Sequence, residues 1–380
     1  MSSIGKPRVL FCRSNPVAPD PRLEKAAAAL AEAGYDVAIL CWDRTGQFPA
    51  RDQVGGVSCY RLPIKAWFGT GLGNFRPLLR WQWGLLRWLI RCRHEYDLIH
   101  ACDFDTVLPA MLSKMLFRKK VVYDIYDFYA DHLRATPGWI KRVIRAVDLR
   151  VIRSVEGLII TDDSRWEQMG LAPLSNSAAI YNSPQDVRHI LGDENQPPPS
   201  RGLRLVYVGL LQVERGLLDV LSLLREHPDW HLDLAGFGGD EEQILRIAEE
   251  LPNVVWHGRI PYQQALALTN AADAVLALYE PALPNHRYAS PNKMFEAMML
   301  GKPVIVAANT NIDRIVSQEN CGLVVTYGDL AELGQALERL QKNVSFRSEM
   351  GANGRRAYES RYNWSNMQER LLHLYALLES

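Results

Sequence analysis

The chain has little that would staple it covalently or anchor it by a long apolar segment. Six cysteines among 380 residues (Cys12, Cys41, Cys59, Cys92, Cys102 and Cys321) show neither metal-ligand spacing nor a small-domain disulfide framework, and read most simply as small buried hydrophobes. No apolar run approaches the ~18 residues of a membrane-spanning helix, and no leader-like pattern opens the sequence. The expectation is a cytoplasmic protein with room for peripheral contact to the inner face of the cell membrane. The G-x-G-x-x-G fingerprint is missing after the first strand, which argues against a nicotinamide or flavin site there. No acidic cluster with metal-binding spacing is evident, so neither a metal nor a resident cofactor is expected.

Net charge is lacking too, since 43 Lys and Arg balance 43 Asp and Glu. The balance is uneven along the chain. Residues 1–190 hold 26 basic against 19 acidic side chains, and the remainder 17 against 24, so a basic half precedes an acidic one. Such a pair can hold an anionic ligand between them or bring one half to an anionic surface.

What is present is a βα alternation that runs twice. Apolar strand-like runs at Arg8–Arg13, Tyr35–Trp42, Tyr96–His100, Lys120–Ile125 and Gly157–Thr161 alternate with helical segments, and the pattern restarts at Leu203–Gly209. A length of 380 residues suits two domains better than one core. The expected division is a first domain over 1–190, a proline-rich linker over 191–202, a second domain over 203–360, and a helix over 361–380 that crosses back to brace the first. Both domains read as α/β and doubly wound, with ligand loops at strand C-termini facing a cleft. Asp20 and Arg22 follow the first strand and His100 ends the third. Tyr126-Asp127 follows the fourth and places a carboxylate at that edge. A helix cap for Asp20 and a structural role for His100 fit the spacing equally well.

Residues 61–93 contain seven basic side chains and no acid, interleaved with Trp67, Phe68, Phe75, Trp81, Trp83 and Trp88. A second basic helical run covers 139–153. Arginines beside tryptophans suit the head-group region of an anionic membrane surface; packing of the apolar side on the domain's own sheet would give the same pattern. Nucleic acid is disfavoured, because no recognised binding motif accompanies the charge.

The stretch from Arg287 to Ala307, RYASPNKMFEAMMLGKPVIVA, carries the most chemistry. Ser290 is placed to cap a helix and Pro291 to occupy its first position. Unpaired first-turn amides and the positive dipole end favour a phosphate, and Lys293 adds a mobile positive charge. Glu296, about one turn beyond Asn292, can accept hydrogen bonds from two ribose hydroxyls. An ordinary amphipathic helix with Met294, Phe295, Met298 and Met299 in the core would share this pattern.

SPNKMFEAMMLGKPVIV from Ser290 to Val306, YVGLLQVERGL from Tyr207 to Leu217, and Asp20, Arg22 and Gly34-Tyr35-Asp36-Val37 resemble the glycosyltransferases of family 4, in their PNKxFE variant. The resemblance covers nearly the whole chain and implies the GT-B fold of two Rossmann-like domains, the first for an acceptor and the second for a nucleotide sugar. It implies a retaining, metal-independent hexosyltransferase whose only co-substrate group is a nucleotide diphosphate sugar. The acceptor would be a saccharide, or a polyprenyl-diphosphate-linked saccharide of bacterial surface or exopolysaccharide synthesis.

By the same resemblance Glu296 binds the donor ribose, while Arg215 and Lys293 hold the diphosphate. Gly209 of the diphosphate loop, with Arg259 and Asn292 from their places at a strand end and a helix start, completes the donor set. Tyr126 and Asp127 join Arg215 and Lys293 as catalytic residues, Asp20 and Arg22 line the acceptor side, and His100 joins them from its place at the end of the third strand rather than from the resemblance. Three positions depart from the family pattern. Tyr288 stands where many members carry the first glutamate of Glu-x7-Glu, Leu210 replaces the arginine of Gly-Arg-Leu, and Tyr126 replaces a histidine. A sugar-nucleotide epimerase of the same fold and a non-catalytic glycosyltransferase-like scaffold are the alternative readings.

Overall fold

The structure is a computed structural model that describes residues 6–66, 75–133, 136–191 and 202–379. The expected linker at 191–202 therefore falls almost wholly outside the described residues, as do Trp67 and Phe68 of the basic aromatic run. Contacts divide the chain into two units, Met1–Tyr181 with Gln368–Ser380, and Asn182–Met367.

The first unit is built on the strands β1 (Arg8–Arg13), β2 (Asp36–Asp43), β3 (Arg51–Val54), β4 (Val57–Pro63), β5 (Leu98–Cys102), β6 (Lys120–Ile125), β7 (Gly157–Ile160) and β8 (Ser177–Ala179). They lie in the order β3-β4-β2-β1-β5-β6-β7-β8, with every pairing parallel except the β3–β4 hairpin. The hairpin was not expected from sequence, because Arg51-Asp52-Gln53 is exposed and carries no apolar alternation. The inner strands are apolar on both faces, as a sheet covered by helices on each side requires. On one face Trp42 stacks on Trp81 with centroids 5.5 Å apart, which fixes the Phe75–Arg91 helix through Trp81, Leu85 and Leu89. Full burial of each such leucine is worth about 1.5–3 kcal/mol.

The final helix, Trp364–Glu379, joins this unit from Gln368 onward. Tyr375 reaches His100 Nδ1 at 2.8 Å, and Arg370 donates to the Ala179 carbonyl at 2.9 Å.

The second unit carries β9 (Arg204–Leu210), β10 (His231–Phe237), β11 (Val254–Trp256), β12 (Ala274–Ala277), β13 (Val304–Ala307) and β14 (Gly322–Val325). Their order is β11-β10-β9-β12-β13-β14, and all are parallel. Residues 182–190, expected in the first domain, group with this unit. Arg355 pairs with Asp186, and the Tyr358 hydroxyl donates to the Pro184 carbonyl at 3.0 Å. Both units are thus α/β sheets of the Rossmann-like kind. No helix among the described residues is long and apolar enough to cross a membrane.

Candidate active site

In the second unit the polar side chains gather at the C-terminal edge of the parallel sheet. β9 ends at Gly209-Leu210 and β10 at Gly236-Phe237, and the two exits are bonded to each other. The Leu211 amide donates to the Phe237 carbonyl at 2.8 Å, and the Gly236 amide to the Gly258 carbonyl at 3.0 Å. Gly236 has φ +143°, and a Cβ there would lie 1.8 Å from the Gly209 carbonyl oxygen. Only glycine permits that approach. Asp240 accepts from the Val213 amide at 2.9 Å and so fixes the turn that presents Arg215.

Lys293 and Arg215 meet this edge from two directions. Lys293 Nζ lies 3.6 Å from the Tyr207 ring centroid and 3.0 Å from the position of a Cβ on Gly209. The Arg215 guanidinium carbon is 4.2 Å from the Tyr279 ring centroid. Burial and the neighbouring Arg215 push the Lys293 ammonium well below its ordinary range, with the Glu296 carboxylate acting in the opposite sense. Two cations crowded on aromatic faces form an electrostatic receptor for a group carrying two negative charges.

Glu296 is buried on the same helix, Asn292–Leu300. The Tyr262 hydroxyl donates to its carboxylate; burial and that carboxylate together raise the Tyr262 phenol above its usual range. The helix start differs from expectation. Pro291, with ψ 138°, occupies the capping position itself, and Ser290 makes no capping hydrogen bond. The proline displaces the serine by one residue from where its hydroxyl would reach the first-turn amides. Pro291 makes no side-chain capping bond, and first-turn amides of a helix are the groups that suit an anion. Asn292 is exposed at the first turn, and Arg259 is exposed beyond β11 with its guanidinium carbon 4.6 Å from the Phe237 ring centroid.

The first unit gathers a second set at the C-terminal ends of β1, β5, β6 and β7. Arg13 pairs with Asp20 at 2.8 Å and with Asp103, and its guanidinium carbon lies 3.9 Å from the Tyr126 ring centroid. Arg22 covers the same ring at 5.0 Å and holds Asp124 at 2.8 Å. The Tyr126 amide donates to Asp103 Oδ1 at 2.9 Å. Burial first, and then the negative charge of Asp20, drive the Tyr126 phenol well above its ordinary range. It stays protonated at neutral pH and can donate but not act as a base. Burial also lifts Asp103 to about 6 against the opposing pull of Arg13.

Asp127 is the exposed member of this set. Arg165, itself only 1% exposed, donates to Asp127 Oδ1 and to the Tyr126 carbonyl, both at 2.9 Å. One buried guanidinium thus aims the carboxylate and fixes the backbone that carries it.

The structure brings Gly209, Arg215, Lys293 and Glu296 to one edge, and Tyr126, Asp127, Asp20 and Arg22 to the other unit's edge. It does not leave His100 at a rim. His100 is fully buried, stacked on Phe11 at 4.1 Å and bonded to Tyr375 and Asp124. It is a packing and hydrogen-bonding residue, out of reach of an acceptor. Asp20 accepts from the Leu23 amide at 3.3 Å as a helix cap, and acts through Arg13 rather than through open solvent. Sequence reading missed Arg13, Asp103, Arg165, Tyr207, Tyr262 and Tyr279. Tyr207 and Tyr279 sit in or beside apolar strands, and Arg165 beside a serine that reads as a cap.

Two α/β units, each built on a parallel-dominated sheet with polar side chains at its C-terminal edge, define a class, the GT-B fold. Residues 18–169 match the family described as "Glycosyl transferase 4-like domain", and residues 202–343 match "Glycosyl transferases group 1". The chain is a glycosyltransferase of the GT-B type.

Among curated proteins it is similar to the capsular polysaccharide biosynthesis glycosyltransferase CapM of Staphylococcus aureus, 33% identical over 24% of this chain and 24% of that protein. It is also similar to the lipopolysaccharide core biosynthesis glycosyltransferase LpsD of Rhizobium meliloti (strain 1021), 23% identical over 47% of this chain and 50% of that protein. The matched stretch therefore spans from a quarter to half the length of these relatives. Among solved structures, sucrose-phosphate synthase from Thermosynechococcus elongatus superposes with TM-score 0.78 at 17% identity, covering 98% of this chain and 99% of the other. HepE of Anabaena, solved with UDP-glucose, gives TM-score 0.71 at 15% identity, covering 98% of this chain and 100% of the other. At these identities the superpositions speak for the fold.

Proposed function

We propose that this protein is a retaining hexosyltransferase that moves a sugar from a nucleotide diphosphate to an acceptor hydroxyl without a metal ion. The observation that carries the reading is the placement of Lys293 and Arg215 beside Gly209, with Glu296 on the helix that bears Lys293. Glu296 accepts the ribose hydroxyls. Lys293, Arg215 and the Asn292 end of the helix take the diphosphate, with Arg259 beside the base. As the bond from the anomeric carbon to the phosphate oxygen breaks, its electron pair goes to the diphosphate. The two cations stabilise that growing charge, as oriented donors do at other developing anions.

The acceptor hydroxyl attacks from the face the phosphate is leaving and gives its proton to the departing phosphate oxygen. Asp127, aimed by Arg165, orients the acceptor, and the protonated Tyr126 donates a hydrogen bond beside it. Arg22 and Asp20 hold that side in shape. Uracil is the base favoured by HepE's bound UDP-glucose, with guanine as the competitor to test. A lipid-linked saccharide in surface-polysaccharide assembly at the inner face of the cell membrane is the acceptor favoured by the roles named for CapM and LpsD.

The test is nucleotide release from a panel of UDP- and GDP-sugars, with and without lipid-linked saccharides. A transferase releases nucleotide only when donor and acceptor are both present. Donor isomerised without acceptor would indicate the epimerase, and no turnover by folded protein the scaffold.

A further inference from the structure

Three helices of the first unit lie side by side on one face of its sheet. Trp81, Leu85 and Leu89 of the Phe75–Arg91 helix, Val107 and Ala110 of the Phe104–Phe117 helix, and Ile152 of the Gly138–Ile152 helix enter one core. The sheet residues that meet them, Leu10, Leu40, Ile99, Val121 and Tyr123 among others, recur with period two and so share a face. The Phe104–Phe117 helix packs against both of the others, which makes it the middle one. The two basic runs, separate in sequence, therefore border one surface.

The outer side of that surface is apolar and basic at once. Trp83 is 67% exposed on the first helix, Met115 76% on the middle one and Trp139 63% on the third. Leu79, Leu116 and Val143 are exposed beside them. Single exposed hydrophobics need no explanation, but a group spanning three adjacent helices does. The three helices hold nine Lys and Arg against two carboxylates. Neither carboxylate offsets the outward charge: Asp148 is fully buried under the Tyr123 hydroxyl, and Asp105 keeps Oδ1 sealed from solvent. Arg76, Arg80, Arg87, Arg91, Arg142 and Arg150 are all exposed.

The geometry points to this three-helix face as a docking surface for an anionic lipid bilayer, with tryptophans at the head-group level and arginines on lipid phosphates. It rests on the lipid-linked acceptor proposed above, for which it supplies the partner surface. Charge chooses the occupant. A second copy of the chain would bring like charges together across the face, whereas acidic lipids neutralise them, and amphipathic tryptophan is the side chain that suits an interface with one wet and one apolar side. The middle helix adds Met115 and Leu116 between the two basic runs, so the contact is a broad face rather than a single immersed helix.

The full-length chain is sedimented with vesicles of phosphatidylcholine alone and of phosphatidylcholine mixed equally with phosphatidylglycerol, and UDP affinity is measured calorimetrically on the same samples. Wild type is expected on the mixed vesicles and at least about tenfold less on the neutral ones. The double substitution Arg80→Glu with Arg142→Glu should weaken mixed-vesicle binding by about tenfold or more. Trp83→Ser with Trp139→Ser should weaken it as well, and both variants should keep wild-type UDP affinity. Equal binding to the two vesicle types, no vesicle binding, or vesicle binding untouched by both variants overturns the surface. So does a wild-type dimer in sedimentation equilibrium that the tryptophan variant dissociates. Vesicle binding without UDP binding would instead remove the donor-site reading and leave the surface standing.

Discussion

Lys293 Nζ lies 3.6 Å from the centroid of the Tyr207 ring, on the same edge as Gly209 and Arg215. This cation is held by an aromatic face and repelled by a neighbouring guanidinium, so its charge is incompletely balanced until an anion arrives. Binding of a diphosphate raises its proton affinity. Between the depressed value of the free protein and the higher value of the complex, binding takes up a proton, and affinity falls as pH rises through that window. Calorimetric titration of UDP in buffers of different ionisation enthalpy reads the proton number directly. Uptake is expected in wild type and its absence in Lys293→Met.

Glu296 should discriminate ribose from deoxyribose. Loss of a hydrogen bond to a charged group costs about 1.5–3 kcal/mol, so Glu296→Ala should weaken UDP by roughly ten- to a hundredfold. The same variant should lose most of the preference for UDP over its 2′-deoxy form. Equal discrimination in variant and wild type would place the ribose elsewhere.

Gly236 is where the C-terminal ends of β9 and β10 pair, opposite Gly209. Gly236→Ala sets a Cβ 1.8 Å from the Gly209 carbonyl oxygen at φ +143°, so one strand end must move. A loss of about 2 kcal/mol or more in denaturant unfolding is expected, together with weaker UDP binding. Gly239, where a Cβ meets nothing within 4 Å, serves as the control, and Gly239→Ala should leave both properties close to wild type.

Arg165 donates to Asp127 Oδ1 at 2.9 Å, and the proposed mechanism has it act through that carboxylate and not on the donor. Arg165→Met should lower kcat while UDP affinity and donor KM stay near wild type, and Arg165→Lys should restore part of the rate. A parallel loss of donor affinity would contradict this division of labour.

Asp148 gives a pH signature for stability. Burial raises it to about 7, while its unfolded value stays near the ordinary 3.8. The folded state therefore binds more protons in that interval, and its contribution to stability falls as pH rises from about 4 to about 7. Asp148→Asn removes this dependence. The variant should gain on wild type with rising pH, by up to roughly 4 kcal/mol above pH 7, as read from urea unfolding at pH 4.5 and pH 8.

Much of this architecture is legible in the chain because parallel strands buried on both faces leave continuous apolar runs such as Val121-Val122-Tyr123 and Val304-Ile305-Val306. The second unit's edge is legible for a related reason: Lys293 and Glu296 sit one turn apart on a single helix, so local spacing already places them together. The first unit's edge is not local. Arg13 meets Asp103, and Arg165 meets Asp127, only after strands far apart in sequence pair through β1, β5, β6 and β7. His100 misled for the opposite reason. It ends a strand-like run in sequence, yet the final helix covers it with Tyr375, a contact that no local pattern announces. The capping reading of Ser290 failed by one residue, because Pro291 takes the cap position with its extended ψ.

The most direct measurement is calorimetric titration of the purified protein with UDP, GDP and ADP, each in the presence and absence of a metal chelator, repeated on Lys293→Ala. The account predicts that one nucleoside diphosphate binds selectively, that the chelator leaves its affinity unchanged, and that Lys293→Ala weakens it by about tenfold or more. Folded wild-type protein that binds none of the three, or a Lys293→Ala variant with undiminished affinity, would contradict it.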